Sequence, residues 1–415
     1  MSIAEQVRPN LGLTGSAPLA GMRVVELSSF VASPLGGMTL AQLGADVVRV
    51  DPIGGGPDRQ RWPIAPTGES LYWAGLNKGK RSVTVDLRCA EGRDLVSALM
   101  TSPGEQSGIV LTNARPRPGL DYADLCRLRE DIIHARLLGT RDGGTAVDYT
   151  VNAECGFPYL TGPAGTAGPV NQVLPAWDVA TGLYLAVGLL AAERHRARTG
   201  EGRRIEVSLA DVALATAGNL GYLGEAELSS QSRARIGNQV YGDFGRDFRT
   251  ADGQHVMVVV LTARHWNDLV AATGMRDRMK ALEHALGAEF TGAEDRYRHH
   301  EVLGGILATW FESRTCAEVD SALRGRSVLW SRYKTMAEAA TDAGSRPLLN
   351  RIDQPGIGSY HAPGSPLTFD GRQYPAEPAP GLGQHTDEVL GEMLGIRSGR
   401  LAELRERYVI GGAGT

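Results

Sequence analysis

Between Met22 and Asp51 the chain alternates two short apolar runs with a helical stretch, and that alternation leaves few folds open. Met22-Arg-Val-Val-Glu-Leu27 reads as a buried strand. Met38-Thr-Leu-Ala-Gln-Leu43 reads as a helix stopped by Gly44, and Asp46-Val-Val-Arg-Val-Asp51 as a second strand. Strand, helix and strand within about thirty residues make a βαβ unit, whose two strands lie parallel. The pattern recurs. Ser82–Leu87, Gly108–Thr112 and Ile132–Leu138 are further strands, with helices from about Glu91 to Met100 and Asp121 to Glu130 between them. The expected fold class is therefore α/β, a parallel sheet with helices on both faces. Asp51 ends the second strand, where a dinucleotide fold keeps its ribose-binding acid. The first turn, however, carries Phe30-Val-Ala-Ser-Pro34 where G-x-G-x-x-G would stand, so a nicotinamide dinucleotide is rejected as the ligand.

Open α/β sheets bind ligands beyond the carboxyl ends of their strands. Three loops at that edge are rich in Gly, Lys, Arg or Asn: Pro52-Ile-Gly-Gly-Gly-Pro57, Asn77-Lys-Gly-Lys-Arg81 and Asn113-Ala-Arg-Pro-Arg-Pro-Gly119. A glycine run lets backbone N–H groups approach a phosphate, and clustered cations can clamp one. Each loop taken alone is equally a solvated surface turn; their recurrence along one edge favours the ligand reading.

Val173-Leu-Pro-Ala-Trp-Asp178 precedes a long run of small and apolar residues from Val179 to Glu193, which predicts a helix buried on most faces. Asp178 stands at its start. It is either an N-cap or a carboxylate nucleophile held in a partly dry site at a helix N-terminus. Asp178 and several glycines interrupt the best candidate for a bilayer span, so no membrane segment is expected.

The chain of 415 residues can bury one large core or two, and its net charge of −4 gives no reason to expect a nucleic-acid partner. Cys89, Cys126, Cys155 and Cys316 lack metal-ligand spacing and read as reduced thiols of a cytoplasmic protein. Residues 1–18 read as a loose tail. The composition turns polar near Ala226–Ile236. Phe244–Arg249 and His255–Val260 then form a hairpin about Ala251-Asp-Gly253, followed by helices, which predicts a second, α+β domain over 226–345. Residues 346–415 return through extended, proline-bearing pieces to a last helix opened by Gly383-Gln-His-Thr-Asp387.

Leu19–Leu27, Leu43–Pro52, Asn77–Ser82, Pro363–Leu367 and Leu382–Leu390 together resemble the family III CoA-transferases, the CaiB/BaiF family. The resemblance runs from about Leu19 to the C-terminus. It implies a Rossmann-like large domain built from 19–225 and 346–415, with the small domain inserted, and an interlocked homodimer. It implies CoA as part of an acyl-CoA substrate, no tightly bound cofactor and no metal. It makes Asp178 the nucleophile. It carries CoA contacts over to Phe30, Val31 and Ala32 on the first loop, Arg49 on the second strand, and Lys78, Lys80, Asn113 and Arg115 beyond.

Phe30–Ala45, Leu71–Asn77, Arg141–Gly144, Val147–Asn152, Val173–Asp178 and Tyr241–Phe248 further match a branch that moves CoA between the two carboxyl groups of one mesaconate molecule in glyoxylate assimilation. For the second carboxylate Arg141, Tyr241 and Arg246 are the candidates. The family's α-methylacyl-CoA racemases use a His just before the aspartate that aligns with Asp148. Here Val147 holds that place and cannot move a proton, which disfavours racemisation. An intermolecular transferase with a separate acid acceptor, and a CoA-binding protein without catalysis, are the remaining alternatives.

Overall fold

The computed structural model describes residues 17–230 and 233–414, so the expected tail lies outside the described residues except for Ala17 and Pro18. In chain order come β1 (Arg23–Leu27), α1 (Ala32–Ala41), β2 (Asp46–Asp51), α2 (Leu71–Leu76), β3 (Arg81–Thr84), α3 (Ala90–Met100), β4 (Ile109–Thr112), α4 (Tyr122–Leu128), β5 (Ile133–Leu138), α5 (Asp148–Glu154), α6 (Phe157–Leu160), α7 (Ala176–Thr199), β6 (Arg203–Ser208) and α8 (Leu209–Asn219). The six strands form one sheet in the order β3-β2-β1-β4-β5-β6, and every pairing is parallel. The expected α/β class is what the chain adopts. The order reverses between β1 and β4, so the crevice beyond Leu27 and Thr112 is the topological switch point.

The strands read as near-continuous apolar runs because both faces are covered. Alternate residues serve opposite layers. Val25, Val48, Val50, Val83 and Val110 pack with Leu99, Leu125, Leu390 and Leu404. Val24, Val47, Ile109 and Ile133 pack with Leu40, Leu185 and Leu189. The C-terminal segment thus completes one layer: helix Thr386–Leu394, followed by a second helix, Ser398–Glu406, that the sequence pattern does not separate.

Contacts divide the chain into two units: residues through Cys155, Val173–Tyr222 and Ala343 onward; and Gly156–Gln172 with Leu223–Asp342. The second unit holds a three-stranded antiparallel sheet of β7 (Phe244–Arg249), β8 (His255–Val260) and β9 (Leu329–Arg332). The hairpin register runs from Phe244 opposite Val260 to Arg249 opposite His255, and Gly253 takes the left-handed conformation its turn needs (φ +77°). Its core is aromatic, with Phe248 stacked on Phe311 at 4.3 Å and Trp266 edge-on to Phe244 and Phe290.

One expectation about α7 fails. It is not buried on most faces: Leu183, Tyr184 and Val187 are 48%, 53% and 62% exposed, while Leu185, Ala186, Leu189 and Ala192 face the sheet. By length and composition alone its 24 residues, with a mean hydropathy of 1.2 over the best window, could cross a membrane, but its Leu185, Ala186, Leu189 and Ala192 face is packed on the sheet. The interruptions by Asp178 and glycine lower the hydropathy without taking the helix out of that range.

Candidate active site

The loops after β1 and β4 meet at the switch point and are tied there. Asn113 Oδ1 accepts from the Ser29 N–H (3.0 Å), and Asn113 Nδ2 donates to the Ser29 carbonyl (2.8 Å). Thr112 Oγ1 donates to the Leu27 carbonyl at 2.8 Å. Phe30, next in line, adopts φ +67° and leaves its ring 41% exposed. A non-glycine residue there costs roughly 1–3 kcal/mol and persists only where its surroundings enforce it. Asp58 enforces it by accepting the Phe30 N–H at 3.0 Å. Asn113, expected as a ligand contact, therefore has its amide committed to shaping the loop that carries Phe30, Val31 and Ala32. Val31 and Ala32 are buried and begin α1, which has no side-chain cap.

α1 crosses α7 where both lack side chains. A Cβ on Gly182 would lie 2.6 Å from the Ala32 carbonyl oxygen, and one on Gly36 would lie 2.9 Å from the Gly182 carbonyl oxygen. Asp178 is one turn before Gly182 on the same stripe of α7, so this crossing brings the Phe30 loop to Asp178. Asp178 is the third residue of α7 and not its N-cap, a position held by Pro175. The capping is done from elsewhere. Asp148 Oδ2 accepts from the backbone N–H groups of Trp177 (2.8 Å) and Asp178 (3.1 Å), and Trp177 Nε1 donates to Asn152 Oδ1 (3.1 Å). The remaining first-turn donors are used too: Ala176 N–H bonds the Leu174 carbonyl and Val179 N–H the Pro175 carbonyl.

With capping delegated, the Asp178 carboxylate has no structural duty. Burial and the neighbouring Asp148 charge push its pKa up to about 6, against the opposing pull of Arg61. Such a carboxylate is ionised at neutral pH, poorly solvated and suited to attack. Activity is expected to fall below pH 6 as Asp178 takes up its proton. Asp148→Asn keeps an acceptor for the cap but removes a charge, so the acidic limb of kcat/KM should move to lower pH. A pH profile of both proteins checks this; an unmoved limb would assign it to another group.

Arg49, Lys78 and Lys80, expected to reach CoA, are enclosed at 0%, 3% and 3% exposure. Arg49 Nε bonds both oxygens of Asp51, its Nη1 bonds Asn77 and its Nη2 bonds Asp51 and Asp58. Lys80 Nζ bonds Glu26 (2.8 Å), the Pro34 carbonyl (2.9 Å) and Asn77 (2.9 Å). Lys78 Nζ donates to the Gly75 carbonyl, and burial pushes both lysines down to about 8. Lys80 is thus enclosed in a buried ionic network, and Lys78 is buried against a backbone carbonyl. The glycine triplet serves the same network. A Cβ on Gly56 would meet Asp58 Oδ1 at 3.0 Å, so glycine there lets Asp58 fold back onto Arg49. Asp51, spent on Arg49, is also unavailable to a ribose.

Arg115 does reach a cavity. It lines a space of about 280 Å³ beside Leu27 and Thr112, together with Arg117, Arg136 and Arg204. Arg141 is paired with Asp211 at 2.7 Å and 84% exposed. Tyr241 and Arg246 belong to the second unit. There Tyr241 donates to Glu225 beneath the Arg233 guanidinium, and Arg246 pairs with Glu301 at 3.5 Å. Sequence reading missed Asp58, Arg61 and Tyr72, and aligned Asp148 with the family aspartate without assigning it the cap. One signal was available: Glu26 stands alone in an apolar strand, and a buried carboxylate requires a cation, which pointed to the basic loop as its partner.

Residues 19–386 match the family model for CoA-transferase family III. The chain is 49% identical over 400 residues to 2-methylfumaryl-CoA isomerase of Chloroflexus aurantiacus, covering 95% of this chain and 98% of that one. It is 29% identical to succinyl-CoA:mesaconate CoA-transferase of Haloarcula marismortui, over 90% of this chain and 96% of that one. A CaiB/BaiF family protein from Brucella suis superimposes with a TM-score of 0.76 at 25% identity, over 91% and 99% of the two chains.

Proposed function

Because the chain belongs to CoA-transferase family III, we propose that it moves CoA between the two carboxyl groups of one acyl unit, converting 2-methylfumaryl-CoA to 3-methylfumaryl-CoA. The observation that carries the chemistry is Asp178, a half-buried carboxylate with its pKa raised to about 6 and freed of capping by Asp148. The substrate rests on the 49% identity to the isomerase.

Asp178 attacks the thioester carbonyl. The C–S bond breaks, CoA leaves as thiolate, and a mixed anhydride joins Asp178 to the acyl group. The thiolate attacks the Asp178 carbonyl, giving an aspartyl-CoA thioester and free mesaconate. The other mesaconate carboxylate attacks that thioester. Its C–S bond breaks, releasing CoA thiolate and forming a second anhydride, and the thiolate cleaves that anhydride at the mesaconyl carbonyl, which restores the Asp178 carboxylate. Each stage replaces one hard exchange by two acyl transfers. The N–H groups of the first turn of α7 are already bonded, so they do not hold the tetrahedral oxyanions, a role that a nucleophile at a helix start would otherwise suggest for them. The uncapped start of α1, at Ala32 and Ser33, is our choice for that role. The arginine-lined cavity with Arg115 takes the phosphates of CoA, and the Phe30–Ala32 loop its thiol end; Arg49 and Lys80 act beneath, by holding that loop.

The relation to a succinyl-CoA:mesaconate transferase supports a second reading, exchange with a separate acid. Incubating the protein with 2-methylfumaryl-CoA and labelled free mesaconate separates the two. Unlabelled 3-methylfumaryl-CoA is expected; label in the product, or no isomer with CoA passing to another acid, assigns the intermolecular reaction.

We also propose a homodimer, interlocked as in the family, that covers the exposed apolar stripe of α7 and α8. Leu183, Tyr184, Val187, Leu214 and Leu220 are all about half exposed or more, a patch of the kind that marks an interface. Leu183→Glu/Val187→Glu should elute as a monomer by light scattering, where the unsubstituted protein elutes as a dimer. The setting we assign is the cytoplasm, in keeping with four free cysteines.

A further inference from the structure

The proposed substrate brings a second carboxylate to a place that already holds Asp178 and Asp148. Two anions without a cation would exclude a third. The arginines expected to serve are engaged, Arg141 by Asp211 and Arg246 by Glu301, and Arg49 and Lys80, expected at CoA, are held in the buried network. Arg61 is different. Its guanidinium lies over the rings of Tyr72 (5.2 Å) and Phe30 (5.6 Å), and it forms no ion pair with any described residue. Its backbone is fixed: the Arg61 N–H donates to the Asp58 carbonyl (3.2 Å), and Ser70 Oγ donates to the Arg61 carbonyl (2.5 Å). The same Ser70 caps α2 by accepting the Trp73 N–H, which sets Tyr72 in the first turn. The Tyr72 hydroxyl is enclosed yet has no hydrogen-bond partner among the described residues, an arrangement that costs free energy unless a ligand completes it. Phe30, under Arg61, is on the loop that the α1–α7 crossing brings to Asp178, and both Arg61 and Tyr72 interact electrostatically with that carboxylate.

We infer that Arg61 and Tyr72 form a carboxylate subsite, holding whichever carboxyl group of the acyl unit is not bonded to sulfur. A guanidinium fork and a hydroxyl together match a carboxylate. Stacked on two rings, Arg61 is oriented before the ligand arrives. The subsite makes the protein select dicarboxylic over monocarboxylic acyl-CoA. It also keeps mesaconate in place while it is covalently free, so that the acid next in line to attack is the one just released. The inference rests on the dicarboxylic reading given above.

Binding to the Asp178→Asn variant, which blocks turnover, tests it. The probes are 2-methylfumaryl-CoA and 2-methylcrotonyl-CoA, in which a methyl group replaces the free carboxylate. Calorimetry should give a 10–100-fold tighter Kd for the first, on the order expected of hydrogen bonds to a charged group. Adding Arg61→Met should reduce that ratio to about twofold, with the Kd for 2-methylcrotonyl-CoA unchanged. Tyr72→Phe should reduce the ratio by a few-fold. A ratio that survives Arg61→Met, an equal loss for both probes, or no ratio in Asp178→Asn would each overturn the subsite. These outcomes are distinct from failure of the function reading, which shows as absence of isomerisation by the unsubstituted protein, and which would remove the subsite with it.

Discussion

Asp178→Asn is expected to abolish isomerisation, with a loss of at least about 10⁴-fold in kcat, while making the protein more stable at neutral pH. The first effect follows from covalent chemistry. Asp148, the acidic neighbour of Asp178, is occupied by the Trp177 and Asp178 N–H groups, and removal of a nucleophile costs this much or more. Chromatography of the CoA esters measures it. Mass spectrometry of quenched reactions adds a direct readout: the peptide carrying Asp178 should gain the mass of an acyl or CoA adduct in the unsubstituted protein and not in the variant. The second effect follows from linkage. The folded-state pKa of about 6 lies above the ordinary value of 3.8. As pH rises between the two, the unfolded chain gives up its proton first, so stability declines through that window and the loss is complete above pH 6. Two pKa units correspond to about 2–3 kcal/mol. The amide introduced by Asp178→Asn has no proton to lose, so the variant should unfold at a higher temperature at pH 8, with the difference vanishing towards pH 4. An active variant, or one whose advantage over the unsubstituted protein is no larger at pH 8 than at pH 4, would contradict the assignment of Asp178 as a desolvated nucleophile.

What was legible in the sequence was what local pattern controls. Val24-Val25, Val47-Val48 and Ile109–Leu111 are apolar without alternation because helices cover both faces, and that pattern fixes parallel strands. Ala251-Asp-Gly253 supplied the turn of the β7–β8 hairpin, and the two strands flank it as expected. Asp178 could be located near a helix start, because Pro175 precedes it and the apolar run follows. Its role could not be decided locally, since the residue that replaces it as cap is Asp148, thirty positions away on another helix. The burial of Lys80 depends on Glu26, on a different strand, and three cations in five residues look the same on paper whether wet or dry. Arg61 escaped notice for a related reason. It sits in a loop without periodicity, and what distinguishes it, an unpaired guanidinium over two aromatic rings, exists only after the chain has folded.

Arg49→Met is expected to destabilise the protein by about 3–5 kcal/mol, the cost of leaving buried charges without their partner. Asp51 and Asp58, at 1% and 2% side-chain exposure, would lose the guanidinium that holds both, and Lys80 is committed to Glu26. Arg49→Lys should recover little, because an ammonium cannot reproduce the fork that bonds Asp51, Asp58 and Asn77 together. Denaturant midpoints measure both. The triple variant Arg49→Met/Asp51→Asn/Asp58→Asn separates charge from shape. It buries no unpaired ion, so most of the stability should return, as happens when a whole buried ionic cluster is replaced. Activity should not return with it, because the Arg49–Asp58 contact is what fixes the segment bearing Arg61 and, through the Phe30 N–H, the left-handed residue on the loop after β1. A penalty below about 1 kcal/mol for Arg49→Met would mean that these groups are solvated. Arg49 would then be free to meet a CoA phosphate, as the family resemblance implies, and the loop would owe its shape to something else.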